Sequence, residues 1–358
     1  MLRRGWVRAV WLMPDSAGSG ADAYRAAGVD VDRKAAVNAR LAETMARRLD
    51  SRMLAGIGAF SGLVQLPALR EPVLAATVDS VGTKLKVAIA LQRHDATARD
   101  IVNHGINDVL CSGLEPLAFL DYLGMHRLDE DVVAAVIAGA RAACDAAGCI
   151  LLGGETAELP DVYAPGDYDL AGCMLGVGER SQVIDGKEIQ AGDVVIGLPS
   201  AGLHTNGYAL ARRLIPQEEW QTYNPLLGCT YGEALLAEHR SYLQSVRTLR
   251  AQVRVLGLAH ITGGGLFDNL PRCLPEGLGM RLHGYAWSLP PIMLELRRRG
   301  GLSDAEVART FNAGIGMAVV LRAEEAARAL ALVSDACRIG AVIPVAEGPR
   351  VVLDGPLR

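Results

Sequence analysis

Short apolar runs lead directly into glycine-rich turns in both halves of this chain of 358 residues. Val73–Thr77 leads into the turn at Asp79–Lys84, and Leu256–Ile261 leads into Gly263-Gly264-Gly265. Helical patterns follow such turns, as in Asp129–Ala147, where the apolar residues recur at helical spacing. Strands that alternate with helices are typical of α/β domains, and a chain of this length is long enough for two of them.

The sequence also suggests where the domains begin and end. The chain becomes polar near Glu179–Asp193, where Asp185-Gly186 is a hairpin signal, so we place the boundary there. The first residues end in Ser-Ala-Gly-Ser-Gly, which favours a disordered leader. We therefore predict a leader of residues 1–20, an amino-terminal domain of residues 21–183 and a carboxyl-terminal domain of residues 184–358.

Charge and composition exclude several classes of partner. The formal net charge is −4, so there is no electrostatic footprint for nucleic acid. No apolar run reaches the ~18 residues that a membrane span requires. The seven cysteines form no C-x-x-C pair, and scattered thiols within apolar runs indicate a reducing compartment. We expect a cytoplasmic protein that binds neither nucleic acid nor membranes.

The segment Thr77–Lys84 is the first candidate for phosphate chemistry. It supplies a carboxylate for Mg²⁺ at Asp79, a flexible turn at Gly82, a hydroxyl at Thr83 and an ammonium group at Lys84. The standard phosphate signatures, such as G-x-x-x-x-G-K-[ST], are missing. On this segment alone, an ordinary strand-to-helix turn is an equally good interpretation.

Two further polar groups interrupt apolar surroundings in the first half. Asn107 and Asp108 lie within an otherwise apolar helix, where a metal ion or an exposed helix face would each account for them. Glu155 lies in Gly153-Gly154-Glu155-Thr156-Ala157-Glu158, which we expect to follow a short buried strand at Cys149–Leu152. Ligand sites favour the carboxyl ends of such strands, although a loop leading into a helix would also fit.

The second half carries three more candidate segments. His204, Thr205 and Asn206 form a polar cluster between glycines, although a lone histidine is more often structural. A helix is expected to begin at Asn206. Three consecutive glycines cost conformational entropy, which indicates close approach of the backbone to a ligand. The candidate positions in these segments are Thr262, Gly263, Gly264, Gly265 and Asn312.

Taken together and in this order, these segments resemble the phosphoribosylformylglycinamidine cyclo-ligases, the aminoimidazole ribonucleotide (AIR) synthase family. The resemblance extends from about Tyr24 to Leu353, and its specific parts are Gly-Gly-Glu-Thr-Ala-Glu, His-Thr-Asn-Gly-Tyr and Arg-Thr-Phe-Asn. One departure lies in the first segment, where this chain has Ser80 and the family usually has glycine.

The resemblance implies two α/β domains of the AIR-synthase type, with the amino-terminal domains pairing across a homodimer into a β-barrel-like core. It implies ring closure of formylglycinamidine ribonucleotide to 5-aminoimidazole ribonucleotide in purine biosynthesis, with ATP and Mg²⁺, and it leaves open a requirement for K⁺. ATP would phosphorylate the formyl oxygen, because an amide oxygen is a very poor leaving group, and an amidine nitrogen would then attack.

The resemblance also implies roles for individual residues. The metal ligands would be Asp79 and Asp108, and the catalytic residues would be Lys84, Asp108 and His204. The ATP site would comprise Asp79, Gly82, Thr83, Lys84, Asn107, Asp108 and Glu155. The phosphorylated substrate would contact His204, Thr205, Asn206, Thr262, Gly263, Gly264, Gly265 and Asn312.

Other members of the same superfamily are the main alternatives. A selenophosphate-forming enzyme needs a reactive cysteine near its amino terminus, whereas the first cysteine here is Cys111. A hydrogenase-maturation protein would end in a modified cysteine, whereas this sequence ends in Arg358. An enzyme similar to thiamine-phosphate kinase and a non-catalytic nucleotide-binding paralogue remain as alternatives.

Overall fold

Two large β-sheets organise the chain in the computed structural model, which describes residues 50–56 and 59–358. The predicted leader of residues 1–20 lies outside the described residues. The strands are β1 Met53–Ala55, β2 Leu63–Val64, β3 Pro72–Ser80, β4 Glu115–Met125, β5 Ile150–Glu158, β6 Tyr168–Glu179, β7 Val194–Pro199, β8 Tyr223–Asn224, β9 Cys229–Thr230, β10 Val255–His260, β11 Leu278–His283, β12 Ile315–Leu321, β13 Cys337–Pro344 and β14 Val351–Asp354.

Most of the helices follow these strands, and together they give the α/β composition that the sequence predicts. The α-helices are α1 Leu85–Ala90, α2 His94–Cys111, α3 Glu130–Ala147, α4 Tyr208–Leu214, α5 Tyr231–Leu235, α6 Leu243–Arg250, α7 Gly265–Asn269, α8 Pro291–Gly300, α9 Asp304–Thr310 and α10 Ala326–Leu332. None of the helices in the described part of the chain is long and apolar enough to cross a membrane.

The amino-terminal sheet has the strand order β3-β6-β4-β5, in which only β4 and β5 are parallel. Helix α2 packs on this sheet and against α3. The predicted helix at Asp129–Ala147 is confirmed: the Asp129 side chain accepts hydrogen bonds from the backbone amides of Asp131 and Val132, and Gly148 ends the helix at a φ of 73°.

Side chains on one face of β3 are not covered within the described chain. Alternate residues of this strand are exposed, including Leu74 at 61% and Val78 at 70%. Tyr122 of β4 is 37% exposed. Because large apolar side chains are seldom left uncovered in a row, this sheet face is a candidate interaction surface.

The carboxyl-terminal sheet has the order β10-β12-β7-β13-β11-β14 and is antiparallel except for the pair β11 and β14. All seven residues of β12 are buried, as expected for a strand near the middle of a sheet that is covered on both faces. The connection from Glu179 to Val194 joins the two sheets, and the predicted domain boundary lies within it.

Two predictions of local structure are wrong: the end of the strand expected at Cys149–Leu152, and the hairpin expected at Asp185-Gly186. The strand expected at Cys149–Leu152 continues through the Gly-Gly-Glu-Thr-Ala-Glu segment, because pairing with β4 extends to Glu158. Asp185-Gly186 forms no hairpin, because the strands on either side of it belong to different sheets.

The helix expected from Asn206 begins two residues later, at Tyr208. His204 and Gly207 both have left-handed backbone conformations, with φ values of 59° and 79°. A right-handed helix cannot pass through such residues, so it starts after them.

Candidate active site

A line of polar side chains follows one side of the buried helix α2. Asp100, Asn103, His104, Asn107 and Asp108 recur every three or four residues and therefore share a face. All but Asp108 are buried, and Asp108 is half-buried. Buried polar groups require partners, and in this protein the second domain supplies many of them.

The partners of this helix face are largely backbone groups of residues 237–242, which form neither helix nor strand. Asp100 accepts a hydrogen bond from the amide of His239 at 2.7 Å, and Asn103 donates to the carbonyl of His239 at 2.8 Å. Asn107 donates to the carbonyl of Arg240 and accepts from the amide of Tyr242, both at 2.9 Å. Side chains of the first domain thus fix a segment of the second.

Lys84 belongs to the same junction. Its ammonium nitrogen lies 2.6 Å from the Asp100 carboxylate, and both side chains are fully buried. It also donates to the carbonyls of Ala237 at 2.8 Å and His204 at 3.0 Å. A contact between Lys84 and a phosphate, as the sequence predicts, therefore requires the side chain to leave these partners.

A cleft of about 370 Å³ lies where the two domains meet. Thr77 and Asp108 line it from the amino-terminal domain, and His260, Asn269 and Arg272 line it from the carboxyl-terminal domain. The guanidinium group of Arg272 provides a positive charge in the wall of this cleft.

Asp108 has partners from both domains. Thr77 Oγ1 donates to one carboxylate oxygen at 3.0 Å, and His260 Nδ1 lies 2.8 Å from the other. Burial alone would raise the pKa of Asp108, but the hydrogen bond and charge of His260, the charge of His104 and the hydrogen bond from Thr77 lower it to about 2. The group is therefore an ionised carboxylate at neutral pH.

Asp79 lies near Asp108, at the end of β3. Nε2 of His104 is 3.4 Å from the Asp79 carboxylate and 3.8 Å from that of Asp108, so the two predicted metal ligands face the same imidazole nitrogen. Gly82 and Thr83 form the exposed turn that follows. Ser80 remains in the strand without a positive φ, and the left-handed position falls on Gly82, with a φ of 67°. The serine therefore causes no backbone strain.

Two predicted members of the ATP site, Asn107 and Glu155, are not grouped with the Asp79 and Asp108 carboxylates. Both ends of the Asn107 amide are bonded to the backbone of residues 240 and 242. Glu155 lies on β5, three strand spacings from Asp79 on β3, which is roughly 14 Å. Within one chain, the structure does not bring Glu155 together with Asp79 and Asp108.

His204 and Thr205 lie within a buried cluster of imidazoles. The ring of His204 stacks on that of His239 at a centroid distance of 4.2 Å, and Thr205 Oγ1 lies 3.1 Å from His104 Nδ1. Burial and the nearby positive groups hold the pKa of His204 well below its usual range, so the ring is neutral. His204 is fully buried and does not reach the cleft surface.

Asn269 holds the triple-glycine loop in place. Its side-chain amide donates to the carbonyls of Thr262, Gly263 and Gly265, and Thr262 Oγ1 donates to its oxygen at 3.2 Å. The left-handed φ of 86° at Gly264 requires a residue without a Cβ.

The two predicted asparagines of the second domain differ in their surroundings. Asn312 is bonded at both ends of its amide: it donates to the carbonyl of Gly202 and accepts from Ser200 and the amide of Gly314. Asn206 Nδ2 is buried without a hydrogen-bond partner among the described residues. Asn206 is therefore a donor available to a ligand, whereas Asn312 holds a loop.

Sequence reasoning assigned no role to His104, His239, Asn269 or Arg272. His104 could have been found from its position one helical turn before Asp108. His239 gave no local signal, because residues 237–242 have no periodic pattern, and only the contacts between the domains reveal it.

The buried ion pair yields a test of the junction. Asp100→Asn leaves the Lys84 ammonium without a counter-charge, and we expect a loss of about 3–5 kcal/mol in the free energy of unfolding, measured by urea denaturation. As a control, Glu188→Gln breaks the exposed pair with Arg254 and should cost less than about 1 kcal/mol. Equal losses for the two variants would contradict a stabilising role for Lys84–Asp100.

Two family models match the chain, one in each half. Residues 63–178 match the AIR synthase related protein, N-terminal domain, and residues 190–352 match the C-terminal domain. The chain is 44% identical over 340 residues to a phosphoribosylformylglycinamidine cyclo-ligase of Burkholderia pseudomallei, covering 94% of this chain and 96% of the relative. It is 45% identical over 304 residues to that of Desulfitobacterium hafniense, covering 84% and 90%.

Solved structures share the fold at lower identity. Thiamine-monophosphate kinase from Stenotrophomonas maltophilia superimposes with a TM-score of 0.65 at 21% identity, covering 92% of this chain and 96% of that one. The hydrogenase maturation protein HypE in complex with ATP gives a TM-score of 0.65 at 20% identity, covering 88% and 90%. On sequence and fold together, the chain belongs to the phosphoribosylformylglycinamidine cyclo-ligases of the AIR synthase family.

Proposed function

We propose that this enzyme closes the imidazole ring of 5-aminoimidazole ribonucleotide, using ATP and formylglycinamidine ribonucleotide. The observation that carries the proposal is the convergence of Thr77 and Asp108 with His260 of the second domain at one cleft, with Asp79 beside Asp108 at the same imidazole of His104. The names of relatives at 44–45% identity support the choice of substrate.

The carboxylates fit Mg²⁺. Asp79 and Asp108 offer hard oxygen donors, and the low pKa of Asp108 keeps its donor ionised. When bound with ATP, Mg²⁺ would neutralise phosphate charge during phosphoryl transfer. We include K⁺ as a second ion to be tested.

The proposed chemistry has two steps. The formyl oxygen attacks the γ-phosphorus of ATP, the bond to the bridging oxygen breaks, and ADP leaves. The amidine nitrogen then attacks the formyl carbon and loses a proton, and the carbon–oxygen bond breaks to release phosphate. Phosphorylation is needed because it turns a very poor leaving group into a good one.

Asp108 and Arg272 in the cleft wall, together with groups outside it, supply binding groups for these steps. We assign Asp79 and Asp108 to the nucleotide phosphates through the metal, and Arg272 to a phosphate group directly. The amides of Gly263–Gly265 and the unpartnered Nδ2 of Asn206 are donors for the phosphorylated substrate. Gly82 and Thr83 remain proposed ATP contacts.

Other predicted residues receive a positioning role in this proposal. Lys84, Asn107 and His204 are buried and bonded at the junction, so we assign them to holding the cleft walls. Thr205 and Asn312 act in the same way on neighbouring loops. Glu155 would need to act from a different surface, on the amino-terminal sheet.

We also propose a homodimer, formed through the uncovered face of the amino-terminal sheet. Leu74 and Val78 of β3 and Tyr122 of β4 leave apolar surface exposed there, and pairing two copies would bury it. The purine-biosynthetic role proposed for the enzyme supports a cytoplasmic location.

The dimer predicts a solution mass of twice 37.9 kDa by light scattering. Val78→Glu should shift the protein toward the monomer, because it would bury two charges in the interface. Leu226→Glu, which changes a leucine that is 82% exposed in a loop, should leave the mass unchanged. A wild-type protein that is monomeric at micromolar concentration would rule out this assembly.

The proposed activity predicts that phosphate release from ATP depends on formylglycinamidine ribonucleotide, in the presence of Mg²⁺ and K⁺, with 5-aminoimidazole ribonucleotide as the product. Thiamine monophosphate serves as the comparison substrate. Turnover with thiamine monophosphate alone would favour a kinase, and no turnover with either substrate would favour a non-catalytic paralogue.

Asp79→Asn removes one metal-binding charge from a side chain that is 42% exposed. We expect kcat to fall by about 100-fold or more, because the variant loses a charge that stabilises the phosphoryl group during its transfer. The free energy of unfolding should change little. Asp145→Asn, in the same domain and 47% exposed, is the control. Wild-type kinetics for Asp79→Asn would remove it from the metal site.

A further inference from the structure

Four of the seven histidines of the chain pack together at the domain junction. His104, His204, His239 and His260 are all buried, and their ring centroids lie 4.2–5.1 Å apart in the contacting pairs. His204, His239 and His260 come from three separate segments of the carboxyl-terminal domain. The phosphoryl-transfer proposal makes no use of the Nε2 atoms that His239 and His260 direct toward each other, or of Nδ1 of His204.

Two of these nitrogens already lie at a distance suited to a shared metal ion. Nε2 of His239 is 3.0 Å from Nε2 of His260. Zinc binds imidazole nitrogen at about 2.0–2.1 Å, so two nitrogens on a tetrahedral ion lie roughly 3.3 Å apart. A metal ion would replace the hydrogen bond that joins these two nitrogens.

The hydrogen bonding of His260 fixes the tautomer that a metal needs. Its Nδ1 lies 2.8 Å from the Asp108 carboxylate, which at neutral pH can only accept, so Nδ1 carries the hydrogen. In the neutral ring Nε2 then presents a lone pair toward His239. A carboxylate that orients a ligand histidine in this way is typical of protein metal sites.

His204 provides a third nitrogen. Its side chain is fully buried, and Nδ1 has no hydrogen-bond partner among the described residues. One nitrogen from each of His204, His239 and His260 lies within 4.8 Å of the others. The His204 ring is stacked on His239, and its Nε2 accepts a hydrogen bond from the amide of Ala201 at 3.4 Å, which leaves the hydrogen on Nδ1 of the neutral ring. To bind a common ion, the ring must turn toward the pair and Nδ1 must give up this hydrogen.

The surroundings can accept a divalent cation. Burial, with the other imidazoles, keeps the pKa of His204 and His239 well below the usual range, which leaves both rings neutral and able to bind metal. Asp108 reaches the cluster through His260, and Asp79 reaches it through His104. The nearby ammonium group of Lys84 is already paired with Asp100, which reduces its repulsion of a cation.

We propose that His204, His239 and His260 bind one divalent transition-metal ion of the zinc type, at a site separate from the Asp79–Asp108 carboxylates. Three imidazole nitrogens select zinc, cobalt or nickel over Mg²⁺, which prefers oxygen. The fourth position is open to water. Because His260 also lines the cleft, the ion would enter from that side.

The test uses the full-length protein, stripped with a chelator and then titrated with ZnCl₂ in excess Mg²⁺ by calorimetry. We expect one zinc ion per chain and a higher melting temperature with zinc than with Mg²⁺ alone. Cobalt at the same site should give the visible absorption of a four-coordinate ion. No zinc binding above the Mg²⁺ background in the wild-type protein would overturn the proposal, whatever the variants do.

Variants locate the ion. His239→Gln should lower the zinc affinity by about 100-fold or more, since loss even of an outer-shell partner costs 10–100-fold. His283→Gln, which changes a half-buried histidine on β11 outside the cluster, should bind zinc like the wild type. Circular dichroism verifies that each variant is folded. Unchanged zinc affinity in folded His239→Gln would also overturn the proposal.

Discussion

The bonding between helix α2 and residues 237–242 is the interaction on which the site depends. These residues form no helix or strand, so their backbone groups must find other partners, and Asp100, Asn103 and Asn107 provide them. The buried ion pair of Lys84 with Asp100 lies at the same junction. A buried charge without its partner is costly, so the pair strongly favours one arrangement of the two domains.

This junction also sets the electrostatics of the cleft. Asp108 stays ionised although it is largely buried, because Thr77 from its own domain and His260 from the other bond to its two oxygens. The histidines behind it are neutral because burial disfavours their charged form. The ionised carboxylate at the cleft and the neutral imidazoles behind it thus come from one set of contacts between the domains.

Much of this arrangement could be predicted from local sequence. The α/β composition and the helix capped by Asp129 follow from patterns of a few residues. The pairing of Asp79 with Asp108 follows from the family resemblance, and the two side chains do lie beside one imidazole. The strand through Glu155 extends beyond its predicted end at Leu152. Its length is set by pairing with β4, which the local sequence does not encode.

The contents of the junction could not be predicted in the same way. Lys84 lies in a turn that resembles a phosphate loop, and only its distance to Asp100 shows that its charge is already paired. His239 lies in a segment without periodicity, and its neighbours His204 and His260 are distant in sequence. Contacts of this kind depend on how the two domains pack together, and this packing cannot be predicted from the spacing of residues in the sequence.

The central claim is that both domains build one nucleotide site at the Asp108 end of α2. A crystal structure with Mg²⁺ and a non-hydrolysable ATP analogue tests it most directly. The account predicts a metal ion bound by Asp79 and Asp108, with the nucleotide phosphates in the cleft beside His260 and Arg272. A nucleotide bound away from Asp79 and Asp108, with no metal ion between their carboxylates, would contradict it.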